Sequence, residues 1–229
     1  MKICSLGFDL PEGKVKYQDE RVLTLDQKLS PQKITPFYVE FSRGDFSHCD
    51  GFLVARDRIW DLLILDMEKL EGRRDRTTDG SERQLLEKCL GYLEQEVPLC
   101  DGEFTEAELS FLKSLAPFSL KPTLVVRQAP ELNHVIRQLL RKCGIIFFYT
   151  ADKKEVRSWP VKQDSDIVTC AGRIHSDLAR GFIKADIITY DDFMQVYNMQ
   201  EARAKGLVRL VDRDYTIHEG DIIEIRFNV

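Results

Sequence analysis

The strongest constraint on this chain is a repeated change of hydrophobic period over its first 150 residues. Short apolar or β-branched runs at 2–8, 35–41, 50–56, 120–127 and 145–149 read as strands. The run at 50–56 is nearly continuous, as expected of a strand covered on both faces. Between them the spacing switches to that of helices over 58–71, 81–93, 105–115 and 131–142. Ser81 with Gln84, and Thr105 with Glu108, have capping-box spacing, so 81–117 reads as a helical hairpin. Gly144 suits the position just past a helix end. Alternating strands and helices imply an α/β domain with a mostly parallel sheet and helices on its faces.

From Glu155 onward the pattern changes. Strands are expected at 156–161, 182–190, 207–210, 215–217 and 221–227, with one helix over 171–181 and a helical stretch over 191–204. Strands around a crossing helix within so short a span describe a small α+β roll. The chain therefore divides into an α/β region, 1–150, and a second domain, 151–229.

Composition excludes several classes. Lys and Arg number 33 against 38 Asp and Glu, a formal charge of −5, so bulk positive charge does not hold this protein to nucleic acid. Neither half carries the acidic excess alone, so any nucleic-acid contact must be local. Six cysteines include no C-x-x-C pair, and four scattered histidines include no H-E-x-x-H, so no metal site is expected. The cysteines read as small buried hydrophobes. No apolar run is long enough to span a membrane, and the first residues lack a signal-peptide core, so a cytoplasmic location is expected.

Three blocks carry a resemblance: Gly144–Val161 (GIIFFYTADKKEVRSWPV), Ala171–Phe193 (AGRIHSDLARGFIKADIITYDDF) and Asp214–Val229 (DYTIHEGDIIEIRFNV). They resemble the closing third of the YchF/Obg-like ATPase family, which belongs to the TRAFAC class of P-loop GTPases. The resemblance implies a C-terminal TGS domain, a ubiquitin-like β-grasp roll. Before 144 it is sparser, resting on Asp19–Val22 (DERV), Ser30–Phe41 (SPQKITPFYVEF), Ser47–Arg56 (SHCDGFLVAR) and the stretch 105–126. It implies a reduced G domain, short of the family's length in the helical insertion and the catalytic loop.

The motif chemistry is eroded. A P-loop, G-x-x-x-x-G-K-[ST], needs glycines so that backbone N–H groups wrap phosphates, a lysine for their charge and a hydroxyl for Mg²⁺. The matching stretch Asp9–Val15 (DLPEGKV) keeps Gly13 and Lys14 but has Val15 where the hydroxyl belongs, and Asp9 and Glu12 add negative charge. The switch aspartate and its glycine-rich loop are missing, with Asp45 and His48 the nearest substitutes. The base-reading N-x-x-E becomes Gln128–Glu131 (QAPE), with Pro130 stiffening the loop. Gly13, Lys14, Gln128 and Glu131 thus form a vestigial nucleotide site. Hydrolysis needs cradle, metal and positioned water together, so the reading leans away from an enzyme. No cofactor is expected, ATP or GTP being the ligands the vestige leaves room for.

The expected function is a non-hydrolysing binding module. Its partner by resemblance is the ribosome, RNA or a translation protein, met through Arg173, His175, Arg180 and Lys184. A nucleotide-binding protein with little or no turnover is the first alternative. A protein–protein module unrelated to RNA, with a homodimer through the helical hairpin, is the second.

Overall fold

The structure is a computed structural model and describes residues 1–128 and 131–228. Its contacts separate two compact units. One comprises Met1–Val15 with Val39–Cys143, the other Lys16–Tyr38 with the chain from Gly144 onward. The sequence division near 150 therefore falls here at 143/144, because 145–151 is a strand of the second unit. Among the described residues no helix is long and apolar enough to cross a membrane.

Along the chain run β1 (Lys2–Leu6), β2 (Gly13–Lys16), α1 (Glu20–Leu29), β3 (Lys33–Thr35), β4 (Tyr38–Ser42) and β5 (Gly51–Ala55). They are followed by α2 (Trp60–Arg74), α3 (Gly80–Glu94), α4 (Glu106–Leu115), β6 (Thr123–Val126) and α5 (Leu132–Lys142). The first unit's sheet has the order β2-β4-β1-β5-β6. β1 pairs parallel with β4 and β5, and β5 pairs parallel with β6. All five residues of β5 are buried, as its continuous apolar run requires. Its Phe52 and Val54 pack with Leu62 and Leu63 of α2 and Leu86, Cys89 and Leu93 of α3. Each fully buried leucine contributes about 2 kcal/mol of transfer free energy to that core.

The caps follow local chemistry. Thr105 and Glu108 form the expected capping box of α4. At α3 the cap is Asp79 instead of Ser81: its carboxylate accepts from the N–H groups of Ser81 and Glu82, so the cap lies two residues earlier. Lys88 of α3 and Glu108 of α4 meet at 3.2 Å.

The second unit holds β7 (Ile145–Ala151), β8 (Glu155–Lys162), α6 (Ile167–Ile174), α7 (Ser176–Arg180), β9 (Phe182–Thr189), α8 (Tyr190–Met194), α9 (Met199–Ala204), β10 (Arg209–Val211) and β11 (Asp221–Phe227). The sheet order is β10-β9-β11-β7-β8-β3. Neighbours are antiparallel except for β11 with β7 and β3 with β8, which are parallel. Ile167, Cys170 and Ala171 of α6 pack on one face, against Phe148, Val161, Ala185, Ile187 and Ile223. Trp159 belongs to this core, stacked on Phe148 with its indole N–H donating to Thr150 at 3.0 Å.

The other face of β7 meets the segment 16–38. Tyr17 and Phe37 pack on Phe147, and the Tyr149 hydroxyl donates to Asp19 at 2.7 Å. Burial and the adjacent Asp19 carboxylate push the Tyr149 hydroxyl well above the usual phenol range.

Four expectations change. The strand expected over 35–41 is two strands in different sheets, broken at Pro36, which has no N–H to give a ladder. The helix expected over 171–181 breaks at His175, whose backbone is extended and whose ring caps α7. Tyr190 ends no strand but opens α8, with Thr189 as its cap. Residues 215–217 are not a strand: Thr216 forms one isolated bridge with Asp166.

Candidate functional site

Parallel α/β sheets place ligands beyond the carboxyl ends of their strands. At that end of β1, β4 and β5 the first unit has a pocket of about 400 Å³, lined among others by Ser5, Gly7, Asp9, Arg43, Arg58 and Asp61. Gly7 has φ +84°, and a Cβ there would lie 2.6 Å from the Ala55 side chain, so only glycine lets the loop leave β1 at this angle. Arg43, just past β4, donates to Asp9 at 2.7 Å and to the Leu10 carbonyl at 3.1 Å, and lies 3.4 Å from Glu12. Arg58, before α2, donates to Asp61 at 2.6 Å.

Gly13 and Lys14 open the edge strand β2, where Lys14 is exposed. The chain runs from β1 through a loop into a strand, and the next helix, α1, belongs to the second unit. Gln128 is exposed beyond β6. Glu131 is the N-cap of α5, accepting from the N–H groups of Asn133 and His134 at 2.8 and 2.7 Å. Ala129 and Pro130, between them, lie outside the described residues. Strands β2 and β6 are the two edges of the sheet, roughly 19 Å apart at about 4.8 Å per strand. The structure therefore does not bring Lys14 to Gln128 and Glu131.

In the second unit Arg173, His175 and Arg180 are exposed around the junction of α6 and α7. Arg180 pairs with Asp177 at 2.9 Å, and the His175 ring accepts from the Asp177 N–H at 3.2 Å. Lys184 pairs with Asp212 at 2.9 Å. Alternation along β9 puts it on the face opposite Ala185 and Ile187, away from α6. Three of the four residues share a corner and the fourth does not.

Asp45 and His48, on the turn between β4 and β5, bond to each other at 2.9 Å, and Asp45 also accepts from Lys2 at 2.8 Å. These hydrogen bonds, from Lys2 first and then His48, lower the Asp45 carboxyl to about 2. A depressed folded-state value means the stabilisation is complete above the ordinary value of 3.8 and is lost as pH falls from there to about 2. Asp45→Asn should remove that part of the acid-unfolding slope, read as the urea midpoint against pH. A slope identical to the parent's would contradict the assignment. The same turn is held by Lys121, whose ammonium donates to the carbonyls of Phe46, Ser47 and Cys49 at 3.1, 2.9 and 2.8 Å. Sequence inspection missed this clamp, because a lysine beside Pro122 carries no signal of a partner more than seventy residues away. Among the described residues no group of three or more His, Cys, Asp or Glu side chains could hold a metal ion.

A family model, YchF-GTPase_C, described as a protein of unknown function (DUF933), matches residues 145–228. The ribosome-binding ATPase YchF of Mycoplasma genitalium is 34% identical over 151 residues, covering 64% of this chain and 41% of that protein. The chain is homologous to the YchF GTPases. The Bacillus subtilis YchF, also named a ribosome-binding ATPase, is 26% identical over an alignment of 260 residues, covering 82% of this chain and 71% of that protein. The chain thus spans about two fifths of the first relative's length and more of the second's. The structure of the Schizosaccharomyces pombe YchF GTPase superposes with a TM-score of 0.76 at 19% identity, over 96% of this chain and 88% of that one. The α/β fold of that GTPase is therefore the fold here.

Proposed function

We propose that this chain is a ribosome-associated binding protein of the YchF type that does not turn over nucleotide. Association with ribosomes is carried over from the names of its relatives. The observation that supports the loss of turnover is the path of the chain after β1. In a P-loop the strand leads through the glycine loop into a helix whose first N–H groups hold the phosphates. Here Gly13 and Lys14 lie in β2, and Val15 offers no oxygen to Mg²⁺. Phosphoryl transfer depends on cradle, metal and positioned water acting together, and none of the three keeps its full set of usual residues in this chain. In this reading the second unit is a TGS-type β-grasp domain that docks on the partner through Arg173, His175 and Arg180, with Lys184 on the opposite face. The setting is the cytoplasm.

Calorimetric titration with ATP and GTP, each with and without Mg²⁺, tests the first half of the proposal. Nucleotide at millimolar concentration should give no binding heat. A Mg²⁺-dependent heat accompanied by released phosphate would overturn it in favour of a nucleotide-using protein.

A further inference from the structure

We infer that the outward face of α2 is a docking surface for a cationic amphipathic segment of a partner protein, with Trp60, Ile64 and Leu65 as its anchors and Glu68 and Glu71 as its charged rim. α2 turns Leu62, Leu63, Asp66 and Leu70 inward. One apolar stripe is all that a helix on a single core needs. A second stripe faces away from that core: Trp60 is 37% exposed, Ile64 47% and Leu65 39%. Single exposed apolar side chains are ordinary, but three within two turns of one helix make a patch of the kind found where proteins meet. Trp60 and Ile64 are one turn apart, so they share a face of the helix. Trp60 is also held in place: its indole N–H donates to Glu96 at 3.1 Å, and Glu96 is paired with Arg56. An anchor fixed beforehand loses little freedom on binding, and tryptophan is among the residues that most often carry binding energy.

The charge beside the stripe selects the occupant. Glu68 and Glu71 continue the exposed side of α2 one and two turns beyond Ile64. Both are exposed, and among the described residues neither carboxylate forms an ion pair. The cations of the same helix are already engaged: Lys69 donates to the Ala116 carbonyl at 2.9 Å, Arg73 to Glu82 at 3.1 Å and Arg74 to Asp75 at 3.1 Å. Arg58, just before the helix, donates to Asp61 at 2.6 Å. The face therefore offers a partner free carboxylates beside apolar anchors. RNA or anionic lipid would bring phosphates against those carboxylates. A second copy would repeat the patch across a two-fold axis and set Glu68 and Glu71 against like charges, which repel across an interface. A protein segment with Lys or Arg flanking an apolar stripe satisfies both features at once. One helix face laid on another buries little area, so the contact is transient. The inference is independent of the function proposed above, which assigns partner contacts to the second unit.

The probe is an amidated peptide of Leu-Lys-Lys-Leu repeats, titrated into the full chain and followed by tryptophan fluorescence. Binding should move the emission to the blue as Trp60 leaves water. Trp60→Phe should remove that shift, because the chain's other tryptophan, Trp159, is already buried. Ile64→Ser/Leu65→Ser should weaken binding about tenfold. Glu68→Gln/Glu71→Gln should weaken it several-fold and flatten its dependence on salt. All four positions are exposed, so these variants fold as the parent does. Asp191→Asn/Asp214→Asn, at exposed acids of the second unit, should leave the affinity unchanged. The same peptide with Glu in place of Lys should not bind. Absence of binding by the lysine peptide would overturn the proposal, as would equal binding of the glutamate peptide, a shift that survives Trp60→Phe, or an affinity indifferent to Ile64→Ser/Leu65→Ser. A loss in Asp191→Asn/Asp214→Asn equal to that in Glu68→Gln/Glu71→Gln would also overturn it, since the attraction would then be diffuse. So would sedimentation of the free chain as a dimer that Ile64→Ser/Leu65→Ser dissociates, since a second copy would then be the occupant.

Discussion

Asp66→Ala should lower the unfolding free energy by about 3 kcal/mol, read as a drop in the urea midpoint of the first unit's transition. Asp66 sits in the middle of α2 and is completely buried, an unusual place for a carboxylate. It is there because its two oxygens accept the N–H groups of Phe118 and Ser119 at 2.6 and 2.7 Å. These donors open a short 3-10 turn, Phe118–Leu120, that leads into β6. Ser119 is itself fully buried and its hydroxyl accepts the Leu99 N–H at 3.3 Å, so the turn has no water to fall back on. Truncation leaves two donors unpaired, Ser119 buried and Phe118 partly so, at about 1–3 kcal/mol for a buried one. Asp66→Asn keeps one acceptor oxygen and should cost less than alanine. A loss below about 1 kcal/mol for the alanine variant would show that the turn finds other acceptors.

Asp186→Ala should cost the second unit about 2 kcal/mol. This carboxylate is 2% exposed on β9 and accepts from Arg226 at 2.9 Å and Arg203 at 2.8 Å, joining β11 and α9 to β9. Breaking a fully buried pair costs about 3–5 kcal/mol, but both guanidinium groups reach solvent, and Glu224 also meets Arg203, so the remaining charges are partly compensated. The loss should shrink when Arg203 and Arg226 are neutralised in the same chain, which a double-mutant cycle in urea would register. A purely additive cycle would mean that packing, not the ion pairs, holds Asp186 in place.

Strands with a clean local pattern were legible in the sequence. β5 and β7 could be placed because their apolar runs are continuous, and α4 because Thr105 and Glu108 cap it reciprocally. What could not be read depends on partners distant in sequence. α1 was hidden in a polar stretch: it buries only Val22 and Leu25 and is started by Asp19, which accepts the Arg21 N–H at 3.0 Å. Nothing local says that this helix packs with β8, a strand more than a hundred residues later. The aromatic and β-branched residues of 35–41 masked the break at Pro36, and nothing local says that β3 and β4 join different sheets. His175 gave no warning of its extended backbone, because its capping bond to Asp177 is indistinguishable in sequence from an exposed imidazole in a helix.

The candidate site was legible in part. Gly13, Lys14 and Val15 could be compared with a phosphate-binding motif residue by residue, and Val15 in place of the hydroxyl argues against turnover from sequence alone. Arg43, Arg58 and Ser5 carried no motif. Their meeting follows from the sheet order β4-β1-β5, which places the ends of three strands side by side. A buried hydroxyl without a partner can be recognised only when its surroundings are known.

The most direct test of the central claim is co-sedimentation of the full chain with ribosomes, with and without ATP or GTP and Mg²⁺. The account predicts that the chain pellets with ribosomes without nucleotide, that nucleotide changes nothing, and that binding weakens steeply between about 50 and 200 mM salt if phosphates are contacted. Pelleting that requires ATP or GTP, or its absence at low salt, would contradict it.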